Sequence, residues 1–287
     1  MLPAVVIFLG TYTVVALGRL PGLRLDRAGA ALVGASLMVG FGVLSFEDAA
    51  RAIDMNTLVL LLGMMILVAN LKLAGFFVLA GRWVALRARH PLGLLVGIVT
   101  ISGVLSAFLV NDTVCLMLTP LVAELALALR RNPVPYLLAL AMASNIGSVA
   151  TITGNPQNIM IGSFSGISYP SFAAALAPVA LAGLLVLVAL LVLLYRSEFL
   201  ARVRLEMPPA TPRYHRGLLI RSMLAAVGMI ACFFAGVPPA EVAIVGGALL
   251  LLTRLKPERI YREIDWSLLL LFAGLFVVVR GMEQVVL

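Results

Sequence analysis

The sequence predicts an all-α polytopic membrane protein. Of its 287 residues, 62% are hydrophobic and only 12% are charged, whereas soluble domains carry about 25% charged residues. Apolar segments alternate with short polar or basic stretches, and a membrane-spanning helix needs about 20 apolar residues. The segments cover residues 2–18, 28–45, 56–71, 92–129, 137–163, 171–195, 217–236, 238–253 and 266–279.

Basic residues concentrate in alternate loops between these segments. By the positive-inside rule such loops are cytoplasmic, which places the N-terminus outside the cytoplasmic (inner) membrane. The net charge of +8 is then explained by the membrane topology. We expect the lipid bilayer as a partner and no nucleic acid. The basic loop residues are Arg19, Arg24, Arg27, Lys72, Arg82, Arg87, Arg89, Arg130, Arg131, Arg196, Arg202, Arg204, Arg213, Arg216, Arg254, Lys256, Arg259 and Arg262.

The apolar segment 92–129 is too long for one crossing and lies between two cytoplasmic loops. It suits two full crossings or a re-entrant hairpin over 92–130. Asn111, Asp112 and Thr113 lie at its centre, where a charged residue costs about 2.5–3.5 kcal/mol in a bilayer and indicates a functional site. The alternative is a turn at the outer surface, where Asn and Asp are common.

A cluster of polar residues interrupts the crossing over 137–163. Glycine and proline in Gly154-Asn155-Pro156 break an α-helix, and exposed backbone at membrane depth is tolerated only inside protein or beside a wet cavity. We therefore expect a discontinuous helix of the kind that forms transporter sites, rather than a proline-kinked helix. The cluster comprises Ser144, Asn145, Gly147, Ser148, Thr151, Thr153, Gly154, Asn155, Pro156, Gln157 and Asn158.

The chain also resembles itself with a period of 211 residues. Asp54 precedes Gly63 by nine residues, as Asp265 precedes Gly274, and the two copies would enter the membrane from opposite sides, as in inverted-repeat transporters. The two aspartates themselves are expected to be helix N-caps. The expected domains are a first repeat over 1–195 (helices in 1–91, re-entrant hairpin 92–130, broken helix 137–163, helix 171–195), a cytoplasmic linker over 196–216 and the start of a second repeat over 217–287.

The second repeat is incomplete, because the period would place its hairpin and broken helix after residue 287. The missing half-site would come from the rest of a longer protein or from another chain. We favour a fragment that is truncated before its second hairpin.

Two stretches resemble the ion transporter superfamily, which includes arsenite efflux permeases, sodium/proton antiporters, citrate transporters of the CitMHS type and divalent anion/sodium symporters. They are residues 106–113 (SAFLVNDT) and 144–158, which contains TGNPQN. The resemblance extends over essentially the whole chain. It implies a scaffold domain that forms a homodimer and a transport domain with re-entrant hairpins and broken helices.

In the anion symporters of this superfamily the hairpin tip reads Ser-Asn-Thr and binds sodium and the substrate carboxylate. Asn111 matches that asparagine, Ser106 an upstream serine ligand and Gly154 the loop of the broken helix, which implies sodium at Ser106, Asn111, Asp112 and Gly154. Val110 and Asp112 stand where that pattern has serine and threonine. The resemblance therefore gives less support for a dicarboxylate substrate than a complete motif would. Asn-Asp resembles the arsenite permease and antiporter branches.

The chemistry of these residue types suits ion-coupled transport. Asp112 is a hard ligand for Na⁺ when ionised, or a proton carrier if desolvation raises its pKa. Neutral amides and hydroxyls supply oxygen and N–H groups, and helix N-termini at the breaks favour an anion. The candidate substrate- and ion-binding residues are Ser106, Asn111, Asp112, Thr113, Ser144, Asn145, Gly147, Thr151, Thr153, Gly154, Asn155 and Asn158.

The expected function is ion-coupled secondary transport of a small anion by an elevator-type movement, with Na⁺ or H⁺ as coupling ion and no cofactor. The alternatives are a sodium/proton antiporter, an arsenite efflux permease or a truncated membrane scaffold that does not transport. An enzyme is not expected, because the sequence contains no H-E-x-x-H, G-x-S-x-G or nucleotide-binding loop.

Overall fold

The computed structural model describes residues 1–18, 25–200, 204–205, 214–252 and 256–286. Within these ranges the chain forms α-helices, one 3₁₀ turn and no β-strand. The helices are α1 (Leu2–Leu17), α2 (Arg27–Gly40), α3 (Phe46–Ala52), α4 (Met55–Ala74), α5 (Phe76–Arg87), α6 (Pro91–Phe108), α7 (Asn111–Ala128), α8 (Pro133–Ser148), α9 (Pro156–Ser165), α10 (Tyr169–Leu194), α11 (Arg196–Phe199), α12 (Arg216–Phe234), α13 (Pro239–Leu251), α14 (Pro257–Tyr261) and α15 (Trp266–Val286).

Six of these helices, α4, α6, α7, α10, α12 and α15, are long and apolar enough to cross a membrane. Helices α1, α2 and α13 are apolar but shorter. Most of α10 is unburied, as expected of a helix that faces lipid. The predicted polytopic all-α class is confirmed.

The helices form two compact units. The first contains residues 1–62 and 264–287, with a core that includes Ile7, Met38 and Val278. In this unit α15 packs directly on α2: a Cβ added at Gly274 would lie 2.7 Å from the backbone carbon of Ala31. Small residues allow such close helix contacts in membranes.

The second unit contains residues 63–263. Here α6 packs along α8 and α7, and α4 meets α13, where a Cβ added at Gly63 would lie 2.3 Å from the carbonyl oxygen of Ala243. At the end of α4 the Lys72 ammonium pairs with Glu263. This unit holds the predicted hairpin and the predicted broken helix.

The close contacts of Gly63 and Gly274 support the internal repeat. Gly63 packs on α13, and its counterpart Gly274 packs on α2, the two helices that the sequence repeat equates. Asp54 and Asp265 both accept hydrogen bonds from N–H groups of the following helix turn, so the N-cap prediction is confirmed. The inverted orientation of the copies and the repeat boundaries stay predictions. The two compact units reflect packing and do not coincide with the predicted repeats.

The predicted linker over 196–216 is attached to other loops where it is described. Arg131 donates to Glu198 with an Nε to Oε1 distance of 2.6 Å, and this hydrogen bond raises the pKa of the Arg131 guanidinium. The amide of Leu205 donates to the carbonyl of Arg89 at 3.1 Å, and that of His215 to Ala74 at 3.0 Å. Each of these contacts lies within the second unit.

Candidate functional site

The hairpin is formed by α6 and α7 with a two-residue turn between them. Leu109 is extended and Val110 precedes the first residue of α7. The turn is therefore apolar, and Asn111, Asp112 and Thr113 form the first turn of α7 rather than the tip itself. Each arm has 18 residues, so re-entry into the membrane stays a prediction.

Asn111 is the centre of the site. This residue is only 7% exposed, and its Nδ2 donates to Oδ1 of Asn145 at 2.9 Å. Ser144 donates to the carbonyl of Asn111 at 2.9 Å and shares a 2.7 Å hydrogen bond with Ser106. The hairpin and α8 are thus joined by four of the predicted residues.

One atom of this cluster is left without a partner. The Oδ1 of Asn111 is buried and has no hydrogen-bond partner among the described residues. A buried polar atom without a partner is uncommon and calls for an explanation such as a bound ion or water. This oxygen is available to a cation or to a hydrogen-bond donor.

Small residues bring α6 and α8 into backbone contact beside this cluster. A Cβ added at Gly147 would lie 2.3 Å from the carbonyl oxygen of Gly103, which no side chain could accept. Ser106 and Ser144 lie at the same crossing. Gly147 therefore contributes by its lack of a side chain.

The predicted break is present between α8 and α9. Helix α8 ends at Ser148, a 3₁₀ turn covers Ile152–Gly154, and Pro156 begins α9. Asn155 is the N-cap of α9, with its Oδ1 accepting from the amide of Asn158 at 2.8 Å. The discontinuous helix is confirmed, although its non-helical stretch begins well before the Gly-Asn-Pro sequence.

Asn158 and Asn155 satisfy the backbone that the break exposes. The Nδ2 of Asn158 donates to the carbonyls of Ser148, Val149 and Thr151 at 3.2, 3.3 and 2.9 Å. The Nδ2 of Asn155 donates to Oγ of Ser148 at 3.0 Å. These contacts give both asparagines a structural role, and their predicted role in binding stays a prediction.

Thr151 connects the break to the hairpin. Its hydroxyl donates to the carbonyl of Ala107, near the end of α6, where the last carbonyls of a helix lack intrahelical partners. Thr153 is hydrogen-bonded to the hydroxyl of Tyr169 at 2.8 Å. Tyr169 was not predicted as a site residue, because a lone tyrosine beyond a polar cluster carries no sequence signal of this contact.

Two side chains form the exposed rim of the site. Asp112 and Asn145 are exposed, Thr113 is half-buried, and Asn111 between them is buried. Asp112 lies in the first turn of α7, where a carboxylate is favoured by the helix dipole. The structure brings Ser106 and Asn111 of the implied sodium ligands into one cluster, whereas Asp112 lies at its rim and Gly154 in the break.

The site is rich in oxygen atoms and lacks basic side chains. Residues 91–129 and 132–165 include no lysine, arginine or histidine. In the described part of the chain no three His, Cys, Asp or Glu side chains are grouped as metal ligands. Carbonyl, hydroxyl and carboxylate oxygens suit a hard cation, and the residues present fit Na⁺ in this respect.

Known proteins resemble the chain over most of its length. The sequence model of the citrate transporter family, CitMHS, matches residues 12–286. An uncharacterized transporter of Mycobacterium tuberculosis (strain CDC 1551 / Oshkosh) is 33% identical over 98% of this chain and 68% of that protein. Inner membrane protein YbiR of Escherichia coli is 32% identical over 86% of this chain and 66% of its own.

A silicon efflux transporter of Oryza sativa subsp. japonica is 40% identical over 178 residues, which are 62% of this chain and 37% of that protein. Two of these three relatives are named as transporters. The chain therefore belongs to the citrate transporter family within the ion transporter superfamily, and it is a multi-pass membrane protein of a transporter family.

Proposed function

We propose that this chain belongs to an ion-coupled secondary active transporter that moves a small anion across the cytoplasmic membrane. The proposal rests on the environment of Asn111. This residue is buried where the hairpin meets the broken helix, and its Oδ1 has no hydrogen-bond partner among the described residues. A site at a helix break is the arrangement expected of a secondary transporter.

The contacts of the hairpin turn support its re-entrant placement. Thr151 in the break donates to Ala107 beside the turn, and Asn145 accepts from Asn111. The turn and the break therefore lie at one depth. If α8, the break and α9 make one crossing, that depth is inside the membrane, so the hairpin enters and leaves on the cytoplasmic side.

The coupling ion in this proposal occupies the oxygen-rich side of Asn111. Sodium would use Oδ1 of Asn111 together with the Ser106 hydroxyl, while Asp112 at the rim would attract it. Proton coupling would instead use Asp112 as the carrier. In either case Asp112 links the gradient to transport, and the α6–α9 body would move in an elevator-type step.

A second candidate is efflux of arsenite or a related hydroxylated oxyacid, or sodium/proton antiport. The amide donors of Asn111, Asn155 and Asn158 are all directed to protein oxygens, and no basic side chain lies in 91–129 or 132–165. The donors of these three amides are therefore committed to protein oxygens, while Oδ1 of Asn111 is an acceptor without a partner among the described residues, which suits a cation or a hydroxyl-bearing solute. Backbone N–H groups at helix N-termini would serve an anion.

The sidedness and assembly belong to the same proposal. We infer an N-terminus outside the inner membrane from the basic loops, and a homodimer from the resemblance. The relative named an inner membrane protein in Escherichia coli supports this membrane assignment.

Flux measurements in proteoliposomes test the proposal. The protein in its full-length form is purified, reconstituted and offered arsenite, sulfate, succinate and citrate under an imposed sodium or proton gradient. We expect gradient-driven flux of at least one probe, lost in Asp112→Asn and reduced at least tenfold in Asn111→Ser. Asn132→Ser is the matched control, because Asn132 caps the end of α8 opposite to Ser144 and Asn145 and serine also caps well.

Two results would contradict the proposal. The first is absence of flux for every probe under both gradients by a correctly folded protein. The second is unchanged, gradient-driven flux in Asp112→Asn, which would remove the coupling role of that carboxylate.

A further inference from the structure

Tyr169 lies at the start of α10, outside both the hairpin and the break, and is 3% exposed. Its ring stacks on Phe233 of α12 with centroids 5.2 Å apart and meets Phe234 edge-on at 5.1 Å. Phe233 itself is completely buried. These aromatic contacts fix the position of the Tyr169 ring relative to α12.

The Tyr169 hydroxyl begins a chain of hydrogen bonds that crosses the break. It is 2.8 Å from the hydroxyl of Thr153, which is 3.3 Å from that of Thr151. The Thr151 hydroxyl donates to the carbonyl of Ala107 on α6. All three hydroxyl-bearing residues are buried.

The direction of this chain follows from the number of hydrogens. A hydroxyl has one hydrogen to donate, and Thr151 uses it on the Ala107 carbonyl. Thr151 must then accept from Thr153, and Thr153 must accept from Tyr169. Tyr169 is therefore the first donor in this series of hydrogen bonds.

We infer that Tyr169 is a positioning residue that holds the break against the hairpin, so that Asn111 and Asn145 keep their mutual geometry. Without the tyrosine hydroxyl, the oxygen of Thr153 loses the hydrogen bond that it accepts from Tyr169. It is then buried without a donor from this series. Thr153 can then turn away from Thr151, and the contact from Thr151 to Ala107 loses its orientation. The consequence for sodium binding at Asn111 rests on the proposed function, whereas the effect on the break does not.

Hydrogen exchange of the intact protein in lipid nanodiscs tests the inference without any substrate. Tyr169→Phe keeps the stacking ring and removes the hydroxyl. We expect exchange of amides in 149–155 to become about 3- to 10-fold faster, the effect of losing one net hydrogen bond. Thr153→Val should reproduce the increase, and the double variant should add nothing further, because both changes break the same chain.

Tyr195→Phe is the matched control. Tyr195 lies at the other end of α10 and its hydroxyl makes no hydrogen bond among the described residues, so exchange in 149–155 should not change. Thr153→Ser keeps a hydroxyl and should exchange like the unmodified protein. If Tyr169→Phe fails to fold, the contrast of Thr153→Val with Thr153→Ser decides.

A second measurement reports the consequence for the site. The sodium concentration that half-maximally slows exchange at 105–112 should rise several-fold in Tyr169→Phe. The inference is overturned if Tyr169→Phe exchanges like Tyr195→Phe, or if the effects of the two single variants multiply in the double variant. If the unmodified protein shows neither flux nor a sodium effect, the proposed function fails while the exchange comparison still tests Tyr169.

Discussion

Replacement of Gly154 by alanine is the most direct test of the break. A Cβ at this position would lie 2.0 Å from the carbonyl oxygen of Ser148, whereas real Cβ contacts essentially never fall below 3.0 Å. The backbone must therefore separate by at least the difference, 3.0 − 2.0 = 1.0 Å. The obstacle is main chain, which cannot turn aside as a flexible side chain can.

The expected magnitude follows from that displacement. Overpacking in a well-packed interior costs about 1–3 kcal/mol. The 3.0 Å hydrogen bond from Asn155 to Ser148 and the 2.8 Å bond from Tyr169 to Thr153 would lengthen toward 4 Å and be lost, because hydrogen bonds in proteins join heavy atoms no more than about 3.2 Å apart. We expect lower stability and at least a tenfold loss of flux.

The assay pairs thermal unfolding with flux in proteoliposomes. Gly228→Ala in α12 is the matched control, since a Cβ there meets nothing within 4 Å and alanine favours a helix by about 1 kcal/mol. The two alanines should thus shift stability in opposite directions. A Gly154→Ala protein with unchanged stability and unchanged flux would refute the close contact between Gly154 and Ser148.

Two further predictions concern side chains that satisfy buried groups. Asn158→Leu should destabilise the protein by about 1–3 kcal/mol in a denaturant titration, because three carbonyls lose their common donor, and a stability equal to that of the unmodified protein would contradict this. Glu198→Gln should cost about 1.5–3 kcal/mol by removing the charged partner of Arg131. Because the folded-state pKa of Arg131 is raised, the stabilisation is present below the unfolded value and is lost only as pH rises through the folded value. Glu198→Gln should therefore lower stability at neutral pH, and an unchanged stability there would contradict the prediction.

Most of the fold could be predicted because long apolar segments indicate membrane-spanning helices. The broken helix was also predictable, since Gly154 and Pro156 in a cluster of eight polar residues interrupt a helix. The short helices α5, α11 and α14 were not predicted. They lie in basic loops, where charge indicates a cytoplasmic location but does not distinguish a helix from a coil.

The site was predicted in its composition more than in its contacts. The polar residues identified both segments, the hairpin and the broken helix, as parts of one site. The hydrogen bond between Asn111 and Asn145 depends on how the two segments pack, which the sequence does not indicate. The roles of Asn155 and Asn158 were not predictable, because an amide that satisfies its own backbone has the same sequence pattern as one that binds a solute. Tyr169 was missed since its partner lies sixteen residues earlier in the chain.

The close approach at Gly147 and Gly154 has a consequence for how the family diversifies. Both positions exclude any Cβ because backbone atoms lie within 2.3 Å of where it would be, whatever solute is carried. They should therefore change more slowly during evolution than the exposed rim at Asp112 and Asn145, where a new side chain meets no such obstacle. Proteins with a different cargo or coupling ion would then share the glycines and differ at the rim, which makes the glycines markers of ancestry and the rim a marker of specificity.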